Sequence, residues 1–195
     1  MTDRSIFAGT SGLRKQVSKE VEKVVLRDKE GQEIDPDLII SGYLTKNAAS
    51  YFAKNTAGVC TAGNMELFNR PDHFHVNLVN EEGIVVGNIQ GYQITYNGQP
   101  ALIFRGFNPS NSFISATNAE VLCDQMLDII RQIAADNHID QILVPEQDNW
   151  HPLTNRTGLG IEKYFANKFF NPANKVNFPF NITRNKVVNT FYRIT

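Results

Sequence analysis

The chain contains few cysteines, and they are not arranged as a cross-linking motif. Only Cys60 and Cys123 occur among its 195 residues, and neither belongs to a Cys-x-x-Cys arrangement. Small domains that depend on disulfides or structural zinc carry several cysteines at short spacings. The sequence therefore argues against both classes, and we predict no metal site.

Net charge is also nearly absent. The formal charge is −1 at pH 7, whereas electrostatic binding to nucleic acids or anionic membranes usually requires a clear cationic excess. We therefore expect neither nucleic acid nor membrane as a partner. The segment after His151, which includes Arg156, is locally cationic and is interpreted as a solvated surface.

Long apolar runs are missing as well. No segment approaches the roughly 20 apolar residues that span a bilayer. The polar start MTDRSIFAGTSG lacks the apolar core of a secretory signal. These two absences favour a cytoplasmic location.

The first part of the chain shows helical periodicity. Apolar residues recur at steps of three and four from Leu13 through Val17 and Val21, which predicts an amphipathic helix. After the turn around Asp35-Pro36, a second helical region is expected over residues 38–55, with Gly42 as a possible break. We predict a single domain over 1–195, with a helical extension at 1–37 and a core at 38–195.

The middle of the chain shows strand periodicity. HFHVNLVN alternates, so Phe74, Val76 and Leu78 should share one face of a strand and His73, His75 and Asn77 the other. GIVVGNIQGYQITY and ALIFRGF are the next strands, joined at Asn97-Gly98, a dipeptide typical of tight hairpins.

Helices and strands alternate afterwards. Thr117 and Glu120 form a capping box before an apolar stripe that runs from Leu122 to Ile133. IDQILVPE is a predicted buried strand, NRTGLGIEKYFANKFF a helix, and VVNTFYRIT a last strand, preceded by a connection rich in Asn, Phe and Pro. A helix between two strands favours their parallel pairing. The fold class predicted is α/β: a mixed sheet with antiparallel N-terminal strands, a βαβ crossover and flanking helices.

This order of elements resembles the GNAT superfamily of acyl-CoA-dependent N-acyltransferases, over roughly Leu38 to the C-terminus. The resemblance implies that ALIFRGF and QILVPE splay apart to admit acetyl-CoA or another acyl-CoA, and that the next loop and helix start hold its pyrophosphate. The cofactor-binding residues implied are Phe104, Arg105, Gly106, Phe107, Ser110, Asn111, Asn118 and Asn155. Backbone N–H groups at a helix start attract phosphate without any charged side chain.

The catalytic residues implied are Glu146 and Tyr164. Glu146, at the end of QILVPE, would take a proton from the amine acceptor, and Tyr164, on the next helix, would protonate the departing thiolate. The acceptor would be a small-molecule or protein amine. However, the stretch NPSNSFISATNAE contains no glycine, where the family carries a glycine-rich phosphate loop. A GNAT-like module that binds a ligand or protein without catalysis is therefore the alternative.

Cys60 and His75 suggest a second alternative. A cysteine-dependent hydrolase or deamidase needs a thiol beside an imidazole, with a polar group that orients the ring. Asn77, Asn88 and Gln90 are candidates for that group. His73 and His75 also have the spacing of a two-histidine metal pair, but we interpret them as solvent-facing residues of a strand.

Overall fold

A computed structural model describes residues 16–17, 40–45, 50, 53–59, 65–111, 119–146, 153–154, 156, 160–183 and 186–194. The strands are β1 (Gln16–Val17), β2 (Ser41–Thr45), β3 (His73–Val79), β4 (Val85–Tyr96), β5 (Gln99–Pro109), β6 (Gln141–Pro145), β7 (Lys175–Thr183) and β8 (Lys186–Arg193). The helices are α1 (Ala53–Thr56), α2 (Met65–Phe68), α3 (Ala119–Asp136) and α4 (Ile161–Phe169), and a 3-10 turn spans Pro172–Asn174.

Within these residues the strands form one eight-stranded sheet in the order β1-β2-β3-β4-β5-β6-β8-β7. The β5–β6 pair is parallel and is connected through α3, whereas the other neighbouring strands pair antiparallel. Antiparallel N-terminal strands followed by a βαβ crossover are the predicted GNAT-like architecture. The fold class is therefore confirmed.

The expected N-terminal helices are wrong where the structure describes them. Gln16–Val17 and Ser41–Thr45 are paired strands, because Gly42 and Leu44 point towards α3 and the core while Tyr43 points to the other face. Among the described residues of the range 38–55, an α-helix begins at Ala53 and ends at Thr56. The rest of 1–37 lies outside the described residues, so the boundary at 37/38 stays a prediction.

A strand was also missed near the C-terminus. The Asn-, Phe- and Pro-rich connection contains β7, which pairs with β8. Val176 and Ile182 are buried and Phe178 and Phe180 are half-buried, so the alternation of an amphipathic strand is present. Pro179 is tolerated because β7 lies at the edge of the sheet, where one side of the strand needs no donor.

Two apolar layers enclose the sheet. On one face Phe74, Val76 and Leu78 belong to the same buried cluster as the helical stripe, and these predictions are confirmed; the stripe residues are Leu122, Met126, Ile129, Ile130 and Ile133. On the other face Tyr92, Ile103 and Leu143 pack with residues of the β7–β8 hairpin. The tight turn is confirmed too, since Asn97 and Gly98 have φ of 51° and 75°.

The histidines of β3 are not solvent-facing. His73 and His75 are 2% and 0% exposed, so that expectation is wrong. The reason is that α2 covers this face, with Phe68 stacked on His75 at a ring-centroid distance of 4.9 Å. None of the described helices is long and apolar enough to cross a membrane.

Candidate functional site

The parallel strands β5 and β6 part after a short paired stretch. Their paired positions are Ala101–Gln141, Leu102–Ile142 and Ile103–Leu143, although β5 continues to Pro109 and β6 to Pro145. The separation implied by the resemblance is therefore present in the sheet. A gap opens beyond Ile103 and Leu143.

A β-bulge at Gly106 accounts for this separation. Gln90 pairs with Arg105 and Asn88 with Asn108, so one residue of β4 faces two residues of β5. Gly106 has φ of 63°, a conformation that side chains disfavour. Because a bulge bends its strand and increases the local twist, β5 turns away from β6 at this point.

The aromatic residues proposed for the cofactor arm are packed inside the protein. Phe104 and Phe107 are both 0% exposed. Phe104 lies edge-to-face against Phe74 at 5.7 Å, and Phe107 packs against Phe165 at 4.7 Å. These side chains belong to the hydrophobic core and offer no exposed surface to a ligand.

The polar residues at the end of β5 are only partly described. The Ser110 amide donates to the Val86 carbonyl at 2.6 Å, and Asn111 is exposed. Asn118 and Asn155 lie outside the described residues, as does the whole stretch 112–118 between β5 and α3. The phosphate-binding role of this stretch stays a prediction.

A segment that follows β6 reaches the open edge of β5. The Phe107 amide donates to the Leu153 carbonyl at 2.9 Å. The Thr154 hydroxyl donates to Asn108 Oδ1 at 3.2 Å. Leu153 and Thr154 are 0% and 2% exposed, so part of the β5 edge is already paired by the protein itself.

Arg156 fixes this segment in place. Its Nε donates to the Pro109 carbonyl at 2.7 Å, and its Nη2 donates to the Ala57 carbonyl. Arg156 therefore joins the end of β5 to the segment after α1. The solvated surface predicted from the local cationic excess is therefore wrong for Arg156, whose partners are backbone carbonyls remote in the chain.

Glu146 lies directly after β6 and is held by neighbouring strands. Its amide donates to the Thr190 carbonyl at 2.9 Å. Its Oε1 accepts from the Tyr192 hydroxyl at 2.9 Å and from Lys175 Nζ at 3.5 Å. Burial, and then the bond to Glu146, raise the pKa of Tyr192.

Tyr164 belongs to a separate surface cluster between α3 and α4. Its hydroxyl donates to Asp124 and accepts from Lys168 Nζ at 2.6 Å, while Lys168 also contacts Asp124 at 2.8 Å. Burial, and then the bond to Asp124, raise the pKa of Tyr164 to about 12. No hydrogen bond or ion pair between described residues joins Tyr164 to Glu146, and the catalytic roles of both stay predictions.

Three polar side chains lie side by side on the face opposite α3. His75 of β3 pairs with Gln90 of β4, which pairs with Arg105 of β5. Directly opposed residues of neighbouring strands share a face with about 5 Å between them. We call this set, His75, Gln90 and Arg105, the polar row. Sequence alternation could indicate the side of each residue, but not this register.

Hydrogen bonds fix the imidazole at one end of the row. His75 Nδ1 lies 3.1 Å from Asn88 Oδ1, and Asn88 Nδ2 donates to Asn77 Oδ1 at 2.9 Å. Because the Asn88 nitrogen is used in this way, its oxygen faces His75 and accepts the Nδ1 proton. Burial lowers the pKa of His75 to about 4, so the ring is neutral at pH 7 and Nε2 is an acceptor.

Each member of the polar row has a buried atom that lacks a hydrogen-bond partner. These atoms are His75 Nε2, Gln90 Nε2 and Arg105 Nε. His75 and Gln90 are 0% and 1% exposed, and burial lowers the pKa of Arg105. Among the described residues, no carboxylate forms an ion pair with Arg105. Buried polar groups in proteins are nearly always satisfied, so this row calls for a functional explanation.

The thiol alternative is not tested by the described residues. Cys60 lies outside them, so its proposed pairing with His75 stays a prediction. Cys123, which is described, is buried in the core, and burial raises its pKa to about 12. Within the described part of the chain, no group of three His, Cys, Asp or Glu residues is placed to hold a metal ion.

Comparison with known proteins gives structural matches but no sequence match. No family model matches the chain, and neither does any curated protein sequence. One similar solved structure is an aminoglycoside acetyltransferase from an uncultured soil metagenomic sample, in complex with sisomicin. The two share 8% identity over 60% of this chain and 82% of that chain, with a TM-score of 0.43. A likeness this remote carries no argument about activity, so the GNAT-like assignment rests on strand order and pairing.

Proposed function

We propose that this protein is an acyl-CoA-dependent N-acyltransferase that binds the arm of its cofactor in the gap between β5 and β6. The observation that carries the proposal is the end of strand pairing at Ile103 and Leu143. An open edge inside a sheet offers backbone donors and acceptors to an extended, amide-containing ligand. The pantetheine arm of coenzyme A is such a ligand.

The starts of two helices support a phosphate site beside this gap. A Cβ added at Gly160, just before α4, would lie 3.6 Å from the Cβ of Ala119 at the start of α3. The first turn of each helix has amide groups without intrahelical partners and the positive end of the helix dipole. Two adjacent helix starts favour a pyrophosphate even where the loop contains no glycine.

Within this proposal, Glu146 accepts the proton of the amine and Tyr164 protonates the thiolate. Glu146 lies at the end of β6, where the gap is open. The Tyr164 hydroxyl donates to Asp124 and has to turn away from it to reach a thiolate. Glu146→Gln and Tyr164→Phe should each lower turnover of an acetylated amine without a matching loss of acetyl-CoA affinity.

Calorimetric titration with acetyl-CoA tests cofactor binding, and Gly106→Ala and Gly98→Ala form a matched pair of variants. Both glycines have positive φ, 63° and 75°, so each substitution introduces similar backbone strain of roughly 1 kcal/mol. Only Gly106 forms the bulge beside the gap. We expect Gly106→Ala to weaken binding at least about tenfold and Gly98→Ala to leave it unchanged. Absence of binding to the wild type at millimolar acetyl-CoA would refute the proposal.

The contact between Phe107 and Leu153 favours a second candidate. Because the Leu153 carbonyl accepts a hydrogen bond from the Phe107 amide, the protein already occupies part of the edge that an acyl-CoA arm would use. A GNAT-like module that binds a ligand without catalysis fits this arrangement. Binding of acetyl-CoA without release of its thiol, over a panel of primary amines, would favour this candidate over the enzyme.

A further inference from the structure

The polar row presents a defined set of hydrogen-bonding groups. Gln90 Nε2 and Arg105 Nε are donors without acceptors, and His75 Nε2 is an acceptor without a donor. Arg105 also carries a positive charge. The three groups occupy neighbouring strands, with the two donors adjacent and the acceptor at the other end.

This set matches one chemical class of ligand. Two adjacent donors, one of them cationic, complement the two oxygens of a carboxylate. A neutral imidazole nitrogen complements an N–H or O–H group. We propose that the polar row binds a small carboxylate that has an amino or hydroxyl group on the carbon next to the carboxyl group, as in α-amino and α-hydroxy acids. The proposal does not rest on acyl transfer.

The lack of internal partners is the strongest support for a ligand. A buried donor or acceptor left unpaired destabilises a protein by about 1–3 kcal/mol. The Arg105 side chain is half-buried, and its Nε is one of these buried unpaired donors. Unpaired buried groups of this kind persist in proteins where they bind a ligand at the expense of stability. The neighbouring Asn77 and Asn88 are joined by a hydrogen bond. Buried atoms without a partner also occur at Ser50, Gln125 and Gln141 in other parts of the protein, but in the row three of them lie side by side on paired strands.

A cleft lies on the face of the sheet that carries the polar row. It has a volume of about 480 Å³ and is lined by Glu66, Leu67, Asn69, Arg70, Asn181 and Thr183. Arg70 lies over the ring of Tyr92 at 5.0 Å, and Tyr92 is two residues from Gln90 on the same face of β4. We infer that the ligand approaches from this cleft, between α2 and the β7–β8 hairpin.

Four small probes of similar size test the proposed chemistry by thermal unfolding in carboxylate-free buffer. L-alanine and L-lactate carry the carboxylate and the neighbouring donor, propionate lacks the donor, and ethylamine lacks the carboxylate. We expect alanine, lactate or both to raise the melting temperature by roughly 3–6 °C at about ten times their Kd. Propionate should have a smaller effect and ethylamine none.

Two variants separate ligand binding from a purely structural role. Arg105→Met and Gln90→Leu remove the unpaired donors and replace them with apolar side chains. Each should raise the melting temperature of the ligand-free protein and abolish the shift caused by the probes. Arg131→Met, on the half-exposed surface of α3, should leave the shift intact.

The opposite results would overturn the proposal. They are the absence of a shift with all four probes at about 50 mM, which is roughly the upper limit for weak ligands, or an equal shift in the wild type and both row variants. A lower melting temperature in both ligand-free variants would also count against it, because the row would then stabilise the protein without a ligand. Since no acyl-CoA is present, these outcomes are independent of the proposed acyl transfer.

Discussion

Arg70 joins three parts of the molecule. Its Nε and Nη2 donate to Asp72 at 2.9 and 2.6 Å, and its Nη1 donates to the carbonyls of Asn181 and Ile182 at 2.6 and 2.9 Å. It also lies over the ring of Tyr92. One side chain therefore ties the β7–β8 hairpin to the turn before β3.

We expect Arg70→Ala to lower the free energy of unfolding by about 2 kcal/mol, because several charge-assisted hydrogen bonds are lost. Arg131→Ala is the matched control, since Arg131 forms a long surface ion pair with Asp128 at 3.9 Å and a long hydrogen bond to the Ile194 carbonyl at 3.4 Å, and its loss should cost less than about 0.5 kcal/mol. Urea unfolding measures both. Equal losses for the two variants would show that Arg70 does not anchor the hairpin.

His75 makes stability depend on pH. Burial holds its folded-state pKa at about 4, below the ordinary value of 6.5. Between these values the unfolded chain binds a proton and the folded chain does not, so stability present above pH 6.5 is lost as the pH falls towards 4. The whole loss is about 3 kcal/mol.

His75→Asn should therefore reduce the slope of unfolding free energy against pH between 6.5 and 4, by up to about 1.4 kcal/mol per pH unit. His138→Asn is the control, because His138 is exposed and its positive φ of 56° suits asparagine. Urea unfolding at several pH values supplies the slopes. An unchanged slope in His75→Asn would contradict the burial of this imidazole in a neutral form.

Sequence alternation predicted which side of β3 each residue faces, but not how deeply the polar side is buried. His73, His75 and Asn77 do share a face, as expected. Phe68 of α2 covers His75, and Tyr92, which contacts His73, is itself bonded to the β7–β8 hairpin. Packing by other elements leaves no mark on the sequence of the strand that they cover.

Strand β2 owes its position to contact with helix α3. A Cβ added at Gly42 would overlap the Cγ2 of Ile129 and lie 3.3 Å from the Cγ1 of Val76. Glycine is therefore required by close packing between strand and helix. The helical periodicity of residues 38–55 gave the wrong element here, because short apolar segments fit both periods and tertiary pairing decides between them.

We expect Gly42→Ala to destabilise the protein by about 2 kcal/mol through overpacking. Ile129→Ala alone should cost about 2–5 kcal/mol, but less in the Gly42→Ala background, where the truncation relieves the overlap. A double-mutant cycle by urea unfolding should give a coupling of at least about 1 kcal/mol. Additive effects would contradict the packing of β2 on α3.

For strand β7, unlike β2, the sequence pattern did indicate the correct element. Val176, Phe178, Phe180 and Ile182 alternate, and they face the cluster that contains Tyr92 and Phe191. Pro179 and the surrounding asparagines pointed to a loop instead. A proline is compatible with an edge strand, so alternation was the better indicator.

Most of the fold from β3 onwards could be predicted from the order of elements in the sequence. The hairpin at Asn97-Gly98, the helix after β5 and the parallel β5–β6 pair were all predicted and are confirmed. The segment that reaches the gap could not be predicted, because the contact of Leu153 with Phe107 depends on how the strands separate. The same holds for the bulge, although a glycine inside a strand is a known sign of one.

Hydrogen exchange of the backbone with and without acetyl-CoA tests most directly whether the gap between β5 and β6 receives an acyl-CoA. Bound pantetheine would pair with backbone groups after the bulge and shield them from solvent. The expected result is slower exchange in a peptide covering residues 104–111, with no change in one covering β7. Exchange of residues 104–111 that stays the same at saturating acetyl-CoA would contradict the account.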